Sequence, residues 1–130
     1  MNELVKNTIV QDEKLCKILP KDKPVYKPEE VKITKNSYNL LLNFFAENEC
    51  IKYVWLYGSR AKGTDRKSSD IDLMVDCDYK YIKHLNNMTE ALRIPYIIDI
   101  VSIYDPYNTN FVYKSSNYAK IIYRKEDFFN

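Results

Sequence analysis

Only two of the 130 residues are glycine, Gly58 and Gly63, and they stand five positions apart. A chain that makes nearly all its turns without glycine spends it where a side chain would be in the way or where the backbone must turn left-handed. The flanking residues say what that place is. Residues 51–57, IKYVWLY, are β-branched and aromatic and predict a strand that runs into Gly58. Residues 70–76, DIDLMVD, alternate cleanly, with Ile71, Leu73 and Val75 on one face and Asp70 and Asp72 on the other. The chain must therefore pass from strand to glycine turn to a polar, basic loop and back into a strand.

The remaining segments supply cover for that pair. The stripe Tyr38, Leu41, Leu42 and Phe45 predicts a helix over 35–48, with Asn48 suited to a left-handed end. Helical spacing returns over 79–92 through Ile82, Leu85, Met88 and Leu92. Residues 96–103, YIIDIVSI, are apolar on both faces and read as a buried strand. DPYN at 105–108 reads as a turn, 109–117 as a short helix and 120–124 as a closing strand. The expected fold is α+β: a mixed β-sheet covered by helices. Before it, Leu4, Val5, Ile9, Cys16 and Leu19 suggest an N-terminal helix, followed by Pro20, Pro24 and Pro28. Three prolines so close together read as a semi-rigid spacer that holds the first segment away from the domain and offers it to a partner; the alternative is a segment packed on its own domain. This divides the chain into an extension, 1–30, and a domain, 31–130.

Composition narrows the function classes. The chain is 45% apolar and 29% charged, in the range of one soluble domain. No apolar run is long enough to span a membrane, and the charged start is no signal peptide. Twenty basic against 18 acidic residues leave a net charge of +2, too little to make strong nucleic-acid binding the default. Cys16, Cys50 and Cys77 are dispersed and odd in number, which fits a reducing cytoplasm. A single histidine, His84, excludes two-histidine zinc chemistry.

The stretch LYGSRAKGTDRKSSDIDLMVD carries the chemistry. A strand running into Gly58 leaves backbone N–H groups free for phosphate oxygens, and the Ser59 hydroxyl adds a donor. Arg60 and Lys62 are candidate triphosphate contacts; Arg66 and Lys67 read as loop solvation. Asp70 and Asp72, two apart on a strand, project from one face. Paired carboxylates repel unless a cation lies between them, and Mg²⁺ is bound by one or two carboxylates together with substrate phosphates. Asp99 shares its strand face with Ile97, Val101 and Ile103, so it reads as a desolvated acid that needs such a cation. Three carboxylates and a triphosphate would hold two metal ions. As bland alternatives, Asp70 and Asp72 would be a solvated strand face and Gly58-Ser59 an ordinary turn. Asp76 and Asp78 read as solvated, and His84 and most of the 12 tyrosines as structural.

GS-x10-D-x-D followed by an aspartate on a later strand resembles the DNA polymerase β-like nucleotidyltransferase superfamily. The fuller string is similar to the minimal nucleotidyltransferases (MNT), whose usual form is LFGSRARG…SDIDL, and the resemblance covers about residues 35–124. Tyr57 stands where the family has Phe, Lys62 where it has Arg, and the glycine before the closing strand is absent, with Asn117 nearby. The resemblance implies a polymerase β-like fold and metal-dependent transfer of AMP from ATP to a hydroxyl. Asp70, Asp72 and Asp99 would be catalytic and metal-holding, and Gly58, Ser59, Arg60 and Lys62 would bind nucleotide. It further implies an antitoxin, hetero-oligomeric with a HEPN-type ribonuclease toxin and modifying a toxin tyrosine. Two alternatives stand beside it: a small-molecule, aminoglycoside-type nucleotidyltransferase, and a non-catalytic antitoxin that acts by binding alone.

Overall fold

The structure, a computed structural model, describes residues 17–64 and 70–129. Most of the N-terminal helix expected over 1–19, together with Arg66 and Lys67, lies outside the described residues. Helix α1 spans Lys35–Glu47, opened by the Thr34 side chain, which accepts from the Ser37 N–H at 3.3 Å. Tyr38, Leu41, Phe44 and Phe45 form its buried stripe. The helix ends at Asn48, as the sequence suggests, but not left-handed. Asn48 is extended, and its side-chain amide donates to the Phe44 carbonyl at 2.7 Å, which satisfies an orphan acceptor of the last turn.

Strand β1, Tyr53–Tyr57, leads directly into a five-residue helix, α2, Gly58–Lys62. Strand β2 is Ile71–Val75 and helix α3 is Ile82–Thr89, with a 3-10 turn at each end. Strand β3, Ile98–Ser102, helix α4, Thr109–Ser115, and strand β4, Lys120–Arg124, follow. A last helical turn, α5, Glu126–Phe129, has no counterpart in the sequence reading. The sheet order is β3-β2-β1-β4; β1 is antiparallel to both neighbours and β2 is parallel to β3.

Alternation sends Val54, Leu56, Ile71, Leu73, Val75 and Ile100 to one face, under α1 and Leu85 of α3. Trp55, Tyr57, Met74, Ile103 and Ile121 go to the other, with Val112 of α4 and Leu19. The reading of β3 as a fully buried strand needs correction. It is an edge strand, Ile97 is 70% exposed and Asp99 is exposed. Cover on this face reaches Val101 and Ile103 but not the start of β3.

The proline-rich stretch also differs from expectation, because it lies against the domain. Proline removes N–H donors but leaves carbonyls free, and side chains of the domain reach them. Trp55 Nε1 donates to Pro20 O at 2.7 Å, Arg124 Nη1 to the Lys21 and Lys23 carbonyls, and the Tyr38 hydroxyl to Tyr26 O. The Tyr26 N–H bonds Ile121 O of β4 at 3.0 Å, and Leu19 is 3% exposed. Burial, followed by Glu30 and Glu29, pushes the Tyr38 phenol up to about 12, so it stays a donor. Asp76 and Asp78 are likewise not merely solvated. Asp76 accepts the Lys52 and Tyr53 N–H groups at 2.9 Å each and ties the start of β1 to the end of β2. Asp78 caps the turn that precedes α3. Among the described residues no helix is long and apolar enough to cross a membrane.

Deleting residues 1–27 removes the Leu19 contact and four carbonyl acceptors. Each net hydrogen bond contributes about 1 kcal/mol. The truncated protein should melt several degrees lower with no partner present, measured by circular dichroism. An unchanged melting temperature would mean that the strap contributes nothing to the fold.

Candidate functional site

The site forms where β1 ends and β2 and β3 begin, on the face that α4 leaves partly open. In register, Tyr57 of β1 lies opposite Asp72 of β2, and Asp72 lies beside Asp99 of β3. The three therefore stand in a row on one face, at the spacing of adjacent strands, about 4.8 Å. Asp70, exposed, lies just ahead of β2. The structure thus brings Asp72 and Asp99 side by side with Asp70 close by. Burial pushes the Asp72 carboxyl above the usual carboxylate range; the charges of Asp99 and then Asp70 push it further, and Arg60 opposes them.

Gly58 sets the geometry. It has φ +75, and a Cβ there would overlap Oδ2 of Asp72. The first turn of α2 can close over the start of β2 only because residue 58 brings no side chain against the Asp72 carboxylate. The N–H groups of such a turn have no partner within the helix. Ser59, half-buried, lies in this turn, and its carbonyl accepts the N–H groups of Gly63 and Thr64, which rounds off the loop. Gly63 has φ +78, with nothing within 4 Å of its would-be Cβ.

The two cations expected on phosphate are placed differently from each other. Lys62 is exposed at the end of α2, with Nζ 4.7 Å from the centre of the Tyr118 ring. Arg60 is 3% exposed; its Nη1 donates to Lys32 O at 2.8 Å and its guanidinium lies 4.7 Å from the centre of the Tyr96 ring. From there it supports Asp72 electrostatically and pins α2 to two neighbouring segments. That placement gives no support to a direct phosphate contact. Asp99 is exposed, so the expectation of a desolvated acid is corrected: what would favour a cation here is burial and like charge at Asp72, not burial of Asp99.

Motif spacing does not single out Tyr57. It is 8% exposed, its ring meets Phe111 of α4 edge-on with centroids 4.7 Å apart, and burial, Asp72, Asp99 and Tyr118 all hold its proton on. The antiparallel pairing of two alternating strands was the available signal.

Among the described residues no three acidic, histidine or cysteine groups are close enough to enclose a metal ion. The donors do fit an ion shared with substrate phosphates, since hard oxygens and mutually repelling charges already meet at Asp72. The two glycines should behave differently on substitution. Gly63→Ala meets only backbone strain, about 1–2 kcal/mol. Gly58→Ala adds displacement of Asp72 to the same strain, so it should melt clearly lower than Gly63→Ala in thermal denaturation. Equal melting temperatures would remove the steric role assigned to Gly58.

Residues 39–128 match the family model described as polymerase beta, nucleotidyltransferase. No curated protein is significantly similar in sequence. Among solved structures, the chain is similar to one in a crystal structure of a toxin–antitoxin with AMP-PNP. Identity is 20% and the TM-score 0.53, over 69% of this chain and 75% of that one. It is also similar to a candidate nucleotidyltransferase from Sulfolobus solfataricus, at 16% identity and TM-score 0.50, over 75% of this chain and 85% of that one. At such identities these likenesses speak for the fold; the family match, which spans most of the chain and includes the glycine turn and all three aspartates, shows that the protein belongs to the polymerase beta nucleotidyltransferase family.

Proposed function

We propose that this nucleotidyltransferase domain moves AMP from ATP to a hydroxyl of a partner protein, a tyrosine of a HEPN-type toxin, and so acts as an antitoxin. The observation that carries the chemistry is the alignment of Asp72 and Asp99 on adjacent strands beneath the Gly58 turn. The similar fold found in a toxin–antitoxin with AMP-PNP supports the biological setting.

In this reading the first-turn N–H groups of α2 and the Ser59 hydroxyl hold the triphosphate, and Lys62 adds charge at the rim. Asp70, Asp72 and Asp99 would hold Mg²⁺, one ion or two, which supplies charge neutralisation on the phosphates and lowers the barrier to attack. Asp72 sits deepest and fixes position. Asp99, at the open edge, is the carboxylate that an incoming hydroxyl can reach, and it takes the hydroxyl proton. The acceptor oxygen attacks the α-phosphorus, the bond to the β-phosphate breaks and pyrophosphate leaves. Arg60 acts through Asp72 and the loop, a positioning residue. Most of the catalysis is orientation and charge.

The test is incubation with labelled ATP, Mg²⁺ and the product of the neighbouring gene, followed by denaturing separation. Label should become covalent on the partner. Asp72→Asn and Asp99→Asn should each lower transfer by about 100-fold or more. Without metal, Asp72→Asn should melt above the wild type, because it removes a part-buried charge held against two others, and Asp99→Asn should raise the melting temperature by less, because it relieves only the repulsion with Asp72. Full transfer by Asp72→Asn with native circular dichroism would refute the mechanism.

A further inference from the structure

A groove of about 500 Å³ opens beside Asp99, between the end of α3 and the outer edge of β3. It falls in the roughly 300–1,000 Å³ range of binding clefts. Its lining includes Asn86, Glu90, Ile94, Ile97, Ile98 and Asp99. The hydrogen bonds between β2 and β3 fix which groups of β3 face it. Ile71 N–H donates to Ile97 O at 2.8 Å and Ile103 N–H to Val75 O at 3.0 Å, so the odd-numbered residues of β3 bond inward to β2. The backbone groups of Ile98 and Ile100 then point outward. Those of Ile100 are both taken by the Asn86 side chain, as donor and acceptor, at 2.9 Å each. Among the described residues no hydrogen bond reaches the N–H or C=O of Ile98. The edge is therefore closed at Ile100 and open at Ile98, one residue from Asp99.

Open strand edges pair with other chains unless something blocks them. Here the block stops two residues short of the strand's start and leaves room for one pairing site only. We propose that this groove receives the acceptor of the transfer reaction as an extended polypeptide segment, which pairs with Ile98 and lays a hydroxyl-bearing side chain beside Asp99. The inference rests on the nucleotidyl-transfer reading and specifies how its acceptor arrives. A side chain on a paired strand stands about 5 Å from its neighbour on the same face, within reach of a carboxylate. Asn86 fixes the register: a segment slipped by two residues towards Ile100 meets an edge already bonded. The lining is apolar at Ile94, Ile97 and Ile98, and its charged groups, Glu90 and Asp99, are both acidic. A nucleic-acid strand would bring phosphates against these acids, whereas a peptide with Lys or Arg beside the hydroxyl residue complements them. The transfer stays balanced: the hydroxyl oxygen bonds the α-phosphorus, pyrophosphate departs with the electrons of the broken anhydride bond, and the proton goes to Asp99.

The test uses the full chain, labelled ATP, Mg²⁺ and an array of short peptides with one central Tyr, Ser or Thr and varied flanks. The wild type should label peptides with basic flanks. Glu90→Lys, at an exposed position, should shift the preference towards acidic flanks. Ile97→Arg should lower labelling about ten-fold or more while the dissociation constant for ATP·Mg²⁺ moves less than about two-fold. Unchanged preference in Glu90→Lys together with unchanged labelling in Ile97→Arg would overturn the groove. So would a wild-type chain that binds ATP·Mg²⁺ but labels no peptide, or labels an RNA end instead. A chain that fails to bind ATP·Mg²⁺ at all would refute the nucleotidyl-transfer reading from which the groove's role follows.

Discussion

The contact between Gly58 and Asp72 governs the site. A residue with φ +75 must turn the chain as β1 ends, and the volume its side chain would fill is held by the Asp72 carboxylate. Loop and carboxylate thereby sit in close contact, and a side chain at position 58 would displace one of them. Strand pairing sets Tyr57 on one side of Asp72 and Asp99 on the other. The turn and the carboxylate pair, to which the proposed function gives the phosphates and the cation, thus share one fixed geometry, which is what transfer of a nucleotidyl group needs.

The arrangement is electrostatically unfavourable on its own. Burial and two neighbouring acids raise the Asp72 carboxyl, with Arg60 as a partial counterweight. Arg60 is itself held, by the Lys32 carbonyl and the Tyr96 ring, so its charge stays where it opposes the acids. The rest of the fold supplies what the site does not. Two apolar faces pack against the helices, and the proline strap is hydrogen-bonded to β1 through Trp55 and to β4 through Ile121 and Arg124. Sites that store repulsion of this kind sit in folds stabilised elsewhere.

Local pattern revealed much of this. The alternation of DIDLMVD gave the strand and the face of its acids, and the scarcity of glycine located the turn. The helix stripe at Tyr38, Leu41 and Phe45 and the closing strand at 120–124 were likewise legible. What was not legible depends on tertiary placement. Apolar residues on both faces of YIIDIVSI look like a buried strand, but the sheet ends there, and Asp99 meets solvent. The prolines look like a spacer, yet carbonyl oxygens of their segment, those of Pro20, Lys21, Lys23 and Tyr26, find donors in Trp55, Arg124 and Tyr38, residues remote in sequence. Arg60 looks like a phosphate ligand beside Gly58, but the helix turns it inward. The stop that Asn86 places on Ile100 spans 14 positions and no local pattern carries it.

If the aspartates hold a divalent cation and the glycine turn holds the triphosphate, each ligand binds the site well only when the other is present. Ligands that bind the folded state raise the melting temperature in proportion to occupancy. Thermal melts with Mg²⁺ alone, with a non-hydrolysable ATP analogue alone and with both decide it most directly. Mg²⁺ and the analogue together should raise the melting temperature well beyond the sum of the separate shifts, and Asp72→Asn should abolish that excess. Equal stabilisation by the analogue with and without Mg²⁺, retained in Asp72→Asn, would contradict it.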